Sequence, residues 1–257
     1  MEQIYGMENN TGASSDFSTK TGVLIATPTY DSKVNVSYMM ALIETIRLLE
    51  AEGFAVDVQI PSNSALVVHS RNAILQRFME LNGDYLLMVD SDLAWDPKAV
   101  LNLIKTQKEF CGGVYPDRNQ RGFLFKPVLR EEDNSICVCE QTGLLKMEQI
   151  PAGFMLLKRS AIEKMQFQFP ELKYKSEIVA DDRGYCLFNT EVWDGKFWGE
   201  DYVFCHRARE AGIDIWIDPT IEFSHCGIYG KLMDILTTNQ DEALTDNHHS
   251  LAAVEIQ

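Results

Sequence analysis

The order of apolar and polar runs predicts an α/β protein with a mostly parallel central sheet flanked by helices and a mixed second half. Three observations lead there. Between residues 23 and 115, short apolar runs alternate with stretches of helical period, the pattern of parallel strands joined by crossover helices. Within that region, Tyr85-Leu-Leu-Met-Val89 stands between Gly83-Asp84 and Asp96-Pro97 and reads as a buried strand ending in Asp90-Ser91-Asp92. From Arg118 to about Gln149 the alternation gives way to short β-like pieces.

The elements follow in order. Residues 1–20 are rich in Asn, Ser and Thr without periodicity, which predicts a flexible N-terminal tail. Val23 to Ala26 is the first strand and runs into Thr27-Pro28-Thr29-Tyr30. Met39, Leu42, Ile43, Ile46 and Leu49 form the stripe of a helix closed by Gly53, and Ala55 to Ile60 is the next strand. Ser70-Arg71-Asn72 opens a second helix, with Ile74, Leu75, Phe78 and Leu81 on one face and Gly83 at its end. Asp96-Pro97 caps a third, with Val100, Leu101 and Ile104 inward, and Phe110 to Tyr115 is again a strand.

In the second half, Lys126 to Arg130, Ser135 to Cys139 and Leu144 to Glu148 are short strands, and Pro151 to Leu157 a longer one. Ser160-Ala-Ile-Glu163 has capping-box spacing and predicts a helix start. Glu171 to Gly195 reads as a long polar and aromatic loop. A helix over Tyr202 to Ala211 stops at Gly212; Ile213, Ile215 and Ile217 alternate as a strand, and Ile221 to Gly227 follows. Residues 21–230 are thus expected to form one domain with halves at 21–116 and 117–230, and residues 231–257 a tail or linker.

Composition narrows the class. A net charge of -15 argues against nonspecific binding to nucleic acid or an anionic membrane. The chain opens polar and has no apolar run of membrane length, so no transmembrane segment is expected, and the six cysteines are expected to be reduced thiols in a cytoplasmic protein. Neither the dinucleotide-binding G-x-G-x-x-G nor the P-loop pattern follows the first strand. Cys205-His206 with His225-Cys226 is a weak zinc or thiol candidate, because adjacent helix positions face different ways.

Asp90 and Asp92 carry the clearest chemical signal. On extended chain at a strand's carboxyl end, residues i and i+2 point to one side, and two carboxylates there are a ready ligand pair for a hard divalent cation. Acids at strand ends also cap helices, but Asp96 already takes that position. An EF-hand loop does not fit, since Ala94 and Trp95 stand where a ligand and the turn glycine belong.

Thr27-Pro28-Thr29-Tyr30, Ser70-Arg71-Asn72, Asp90-Ser91-Asp92, Ala152-Gly153-Phe154, Gly199-Glu200-Asp201 and His225-Cys226-Gly227 occur in an order that resembles the glycosyltransferases of the GT-A fold, closest to the inverting family 2 type, over about Val23 to Tyr229. The resemblance implies a Rossmann-like sheet, with residues 21–116 as a nucleotide-binding half and 117–230 as an acceptor-binding half. It implies a nucleotide-sugar donor, UDP before GDP, and a glycan or other hydroxyl acceptor. Donor contacts would come from Thr27, Pro28, Thr29, Tyr30, Arg71, Asp90, Ser91, Asp92 and Gly153. Mn²⁺ or Mg²⁺ would be held by Asp90, Asp92 and His225, and Asp201 would be the general base, with Glu200 its alternative or an acceptor-orienting partner. Trp198, Trp193 and Asp181, with Asp182 and Arg183 nearby, would meet the acceptor.

Each residue also has a structural reading. Tyr30 is equally a core aromatic, Gly153 a turn residue, His225 a hydrogen-bonded strand end, and the two acids of Glu200-Asp201 suit a helix N-terminus in any case. A nucleotidyltransferase acting on sugar phosphates and a noncatalytic nucleotide- or carbohydrate-binding module are the alternatives. The sequence leaves the oligomeric state open.

Overall fold

The computed structural model describes residues 17, 19–61, 66–118, 122–175 and 184–237. Its order begins with β1 (Gly22–Ala26), α1 (Val36–Ala51), β2 (Ala55–Gln59), α2 (Val67–Leu81) and β3 (Tyr85–Val89). Every residue of β1 and β3 is buried, as strands covered on both faces require. Then come β4 (Leu93–Trp95), α3 (Lys98–Lys105), β5 (Phe110–Gly112), β6 (Lys126–Pro127), β7 (Leu145–Gln149), β8 (Phe154–Lys158) and α4 (Arg159–Gln168). Two hairpins follow, β9 (Lys173–Tyr174) with β10 (Gly184–Tyr185) and β11 (Glu191–Trp193) with β12 (Lys196–Trp198). The described chain closes with α5 (Glu200–Glu210), β13 (Ile215–Ile217), β14 (Glu222–His225) and β15 (Ile228–Lys231), after which residues 232–237 are helical.

The central sheet has eight strands in the order β2-β1-β3-β8-β5-β13-β7-β6. Its first three strands are mutually parallel, β5 and β13 are parallel, and only β7 and β8 run against the rest. This is the mostly parallel sheet with a mixed second half. Alternation along β1 sends Leu24 and Ala26 into a core shared with α2, α4 and α5, and Val23 and Ile25 into a second core shared with α1 and α3. A smaller sheet, β15-β14-β4, stands at the carboxyl end of β3.

Several expected boundaries shift for local reasons. The buried face of α1 is Tyr38, Ala41, Leu42, Thr45 and Leu49, while Met39 is exposed. Two polar partners set that rotation, because Thr45 Oγ1 accepts from Trp95 Nε1 at 3.0 Å and Tyr38 Oη shares a 2.5 Å hydrogen bond with Thr27 Oγ1. Helix α2 begins at Val67, so Arg71 lies inside it and not at a free N-terminus. It ends on Asn82 in the left-handed region, φ 59°, one residue before the expected Gly83. Two of its last carbonyls are capped from outside: Arg159 donates to Phe78 O at 2.9 Å and to Met79 O at 3.3 Å.

Helix α4 starts at Arg159 without the capping box, since the Ser160 hydroxyl is drawn to Glu109 at 2.7 Å. At α3 the expectation holds, with Asp96 Oδ1 accepting from Lys98 N at 2.9 Å. The stretch expected as one long loop is partly built into the two hairpins; Asp181, Asp182 and Arg183 lie outside the described residues. Leu232 is buried in the core, so ordered packing extends past residue 230, and Phe17 packs against Gly22 within the segment expected as a tail. All six cysteines are free thiols. No helix among the described residues is long and apolar enough to cross a membrane.

Phe154, fully buried, joins the two sheets: its ring meets Trp95 of β4 at 5.6 Å and Phe223 of β14 at 5.0 Å. Phe154→Ala is therefore expected to lower unfolding free energy in urea by about 3–5 kcal/mol, with Phe154→Leu costing less than half as much.

Candidate functional site

The carboxyl ends of β1 and β3 open at the edge where β14 crosses. After Val89 the chain turns, Leu93 N–H donating to Asp90 O at 3.3 Å, and enters β4, which pairs with β14 so that Leu93 faces His225. This register brings His225 Nε2 to 3.5 Å from Asp92 Oδ2. His225 Nδ1 lies 2.6 Å from the carbonyl of Pro116, an acceptor, so Nδ1 carries the proton and Nε2 presents a lone pair. Cys226 follows with φ 52°, its N–H donating to Asp92 O at 3.3 Å and its thiol to Asp92 Oδ2 at 3.4 Å. Burial, then the Asp92 carboxylate, pushes the Cys226 thiol above its ordinary range.

Asp92, His225 and Cys226 thus each offer a ligand atom, all within 4.8 Å of one another. Among the described residues, Asp92 Oδ1 is buried without a hydrogen-bond partner. An orphaned carboxylate oxygen beside an imidazole lone pair fits a divalent cation that accepts nitrogen as well as oxygen, better manganese than magnesium, and the neighbouring sulfur joins only as its thiolate. Arg118 also reaches this notch, pairing with Asp92 Oδ2 and donating from Nε to His225 Nε2 at 2.9 Å.

Asp90 does not join that group. The turn after β3 ends the extended geometry on which the same-side expectation rested, and the two carboxylates diverge. Asp90 Oδ1 accepts from Arg71 Nη2 at 3.0 Å, and Glu200 Oε1 accepts from Arg71 Nη1 at 2.5 Å. Arg71 is buried; burial works against its charge, but Asp90 and Glu200 outweigh it and hold its pKa above the ordinary value. Beside this bridge Asp201 sits in the first turn of α5, its carboxyl pushed up to about 6 by burial and by Glu200, with Arg71 opposing.

Gly153 and Tyr115 join the two groups. Asp90 N–H donates to Gly153 O at 3.0 Å, Gly153 N–H donates to Tyr115 Oη at 3.1 Å, and the Tyr115 ring packs edge-on against His225 at 5.0 Å. Burial first, then Asp90, keeps the Tyr115 phenol protonated well above its usual range. Neither Tyr115 nor Arg118 stood out in the sequence. Tyr115 ends a run already read as strand, and Arg118 is a lone arginine with no motif around it.

The other expected residues separate. Thr27 and Thr29 are buried and turned inward, Thr27 to Tyr38 and Thr29 Oγ1 to Pro61 O at 3.1 Å, while Pro28 is half-buried and Tyr30 is 73% exposed. Ser91 ties the loop before α1 to the edge, its carbonyl accepting from Asn35 N at 2.9 Å. Trp193 is stacked between Trp198, at 4.9 Å and 12°, and His206, at 5.1 Å and 28°. These stacks pin the hairpin to α5. Buried Arg207, donating to Cys186 O and Leu187 O at 2.7 and 2.8 Å, and Asn72, exchanging two hydrogen bonds with Phe188, fasten the segment that leads there.

A cavity of about 590 Å³ lies at the opposite sheet edge, lined by Thr21, Asp84, Lys158, Arg159 and others. Its charged groups already have partners, Asp84 with Gly22 N and Lys158 with Gln107. The cluster of Asp92, His225 and Cys226 lies at the other end.

No protein-family model matches the sequence, and no curated protein matches it either. Solved structures similar to this fold include A197 from STIV, at 18% identity over 80% of this chain and 85% of that one with TM-score 0.47. GalNAc-T7 with UDP, GalNAc and Mn²⁺ is similar at 10% identity over 80% of this chain, which spans only 44% of that one, with TM-score 0.43. The Drosophila beta-1,4-galactosyltransferase 7 with manganese, UDP-Gal and xylobiose is similar at 13% identity over 91% and 83% of the two chains, with TM-score 0.40. These likenesses are distant, and the functional reading rests on the side chains themselves.

A β-carbon at Gly153 would collide with Tyr115 Oη and lie 2.8 Å from Asp90 Oδ2. Tyr115 is held between Phe223 and His225, so it has little room to yield. Gly153→Ala is expected to cost about 1–3 kcal/mol in thermal unfolding.

Proposed function

We propose that this chain is a metal-dependent, inverting glycosyltransferase that moves a sugar from a nucleoside diphosphate, UDP before GDP, to a hydroxyl of a glycan or other acceptor. One observation carries the reading. At the carboxyl edge of the sheet, the notch of Asp92, His225 and Cys226 with its orphaned carboxylate oxygen shares a network with a carboxyl poised near neutrality, Asp201.

Asp92, His225 Nε2 and Cys226 Sγ are the groups that would hold Mn²⁺, or less well Mg²⁺. Bound there, the cation would neutralise the diphosphate as the sugar bond breaks. Asp90 is oriented by Arg71, in position to accept hydrogen bonds from a ribose or donor sugar. The bare backbone at Gly153 admits the Tyr115 phenol beside Asp90. Asp201 takes the proton from the acceptor hydroxyl. A carboxyl near 6 is ionised at neutral pH yet basic enough to draw that proton during attack. Attack on the face away from the diphosphate inverts the anomeric centre.

Incubation with UDP-sugars, Mn²⁺ and a panel of glycosides should release UDP with a new glycosidic bond. Pyrophosphate as the product would instead establish a nucleotidyltransferase, and saturable UDP binding with no turnover a binding module. In the parent protein kcat/KM should rise with pH and reach half its plateau near pH 6. Asp201→Asn should lower transfer by about 10²–10⁴-fold while leaving UDP affinity unchanged; lost UDP binding would point to a structural role.

The stability effect has the opposite sign. The folded-state pKa of Asp201 is raised, so above about 6 both folded and unfolded chains carry the ionised group and only the folded chain suffers its desolvation and the repulsion of Glu200. Below pH 4 that penalty disappears. The Tm of Asp201→Asn should therefore equal or exceed that of the parent at pH 8, with the gap narrowing toward pH 4.

A further inference from the structure

Asp92 has a counter-charge supplied by the chain itself. The Arg118 guanidinium lays its side edge across the notch, Nη2 on Asp92 Oδ2 and Nε on His225 Nε2 at 2.9 Å. Those two lone pairs are the ones a divalent cation would need. The acceptors are fixed, with side chains only 15% exposed for Asp92 and 8% for His225, whereas the Arg118 side chain is 60% exposed. Buried anions demand a partner, and exposed arginine stems turn at small cost. The guanidinium also satisfies the site incompletely, since among the described residues Asp92 Oδ1 has no hydrogen-bond partner and Cys226 Sγ bonds to Asp92. The notch is thus better matched to a doubly charged ion than to the singly charged group that fills it.

We propose that Arg118 is an internal stand-in for the divalent cation: it occupies the Asp92–His225 notch in the metal-free protein, and a metal ion binds only by displacing it. The inference deepens the proposed function and rests on its metal site. Metal affinity is then set by a competition within the chain. A ligand that draws the guanidinium away, such as the diphosphate of a donor, lowers the barrier to metal entry, so metal and nucleotide are expected to load together.

Mn²⁺ titrated into the full chain without nucleotide, followed by electron paramagnetic resonance and calorimetry, tests this. Arg118→Ala should bind Mn²⁺ about tenfold more tightly than the parent, and His225→Ala should lose binding. If His225→Ala loses binding but Arg118→Ala binds no more tightly than the parent, the stand-in role is wrong and the metal site survives. If neither the parent nor Arg118→Ala binds Mn²⁺ at millimolar concentration, the metal site itself is wrong. Loss of a nearby positive charge could tighten binding through space alone, and a second measurement separates that effect. The ¹⁵N–¹H signal of Arg118 Nε, identified by its absence in Arg118→Lys, should leave its hydrogen-bonded position as Mg²⁺ saturates the protein; a signal that stays put at saturation overturns the proposal.

Discussion

The buried guanidinium of Arg71 is the interaction on which the site depends. It comes from α2, binds Asp90 at the end of β3 and Glu200 at the start of α5, and so joins residues 129 positions apart in the chain. Breaking such a bridge from one side leaves charge stranded in a dry place, at a cost of about 3–5 kcal/mol. The bridge also explains why neighbouring acids behave differently. Asp90 and Glu200 share a cation directly, whereas Asp201, next in sequence, has Glu200 pressed against it and Arg71 only at a distance. One arginine therefore decides which carboxylate is held as an anchor and which has its pKa raised.

The same logic governs the second cation position. This edge of the sheet concentrates acids in a chain of net charge -15, and each buried acid needs a counter-charge or a proton. Arg71 is buried, while Arg118 is exposed. Tyr115 spans the two groups, bonded to Gly153 on the side of Asp90 and packed against His225 on the other.

Much of the fold was legible. Apolar runs bounded by turn residues located β1, β2, β3 and β8 within a few residues, and helical periodicity located α1, α2, α3 and α5, because burial of one face leaves that period in the sequence. Errors gathered where a distant polar partner overrode a local preference. The rotation of α1 follows from Trp95 and Thr27, and the unused capping box of α4 from Glu109. The site was legible as a set of residue types and less so as a geometry. Asp92 and His225 do meet, but Asp90 turns away from them, Thr27 and Thr29 turn inward, and Trp193 stacks with two rings.

By itself, the sequence determined the α/β layering, the placement of acids at a strand's carboxyl end and the absence of glycine-rich phosphate loops, since these are properties of short contiguous stretches. Which acid meets which cation was decided only by tertiary structure. Pairing of β4 with β14 sets His225 against Asp92, and the path of α2 carries Arg71 to Glu200. Electrostatic partners act over a few ångströms whatever their separation along the chain, so no local pattern records them. Tyr115 and Arg118, which carry no motif, acquire their meaning solely from what the fold places beside them.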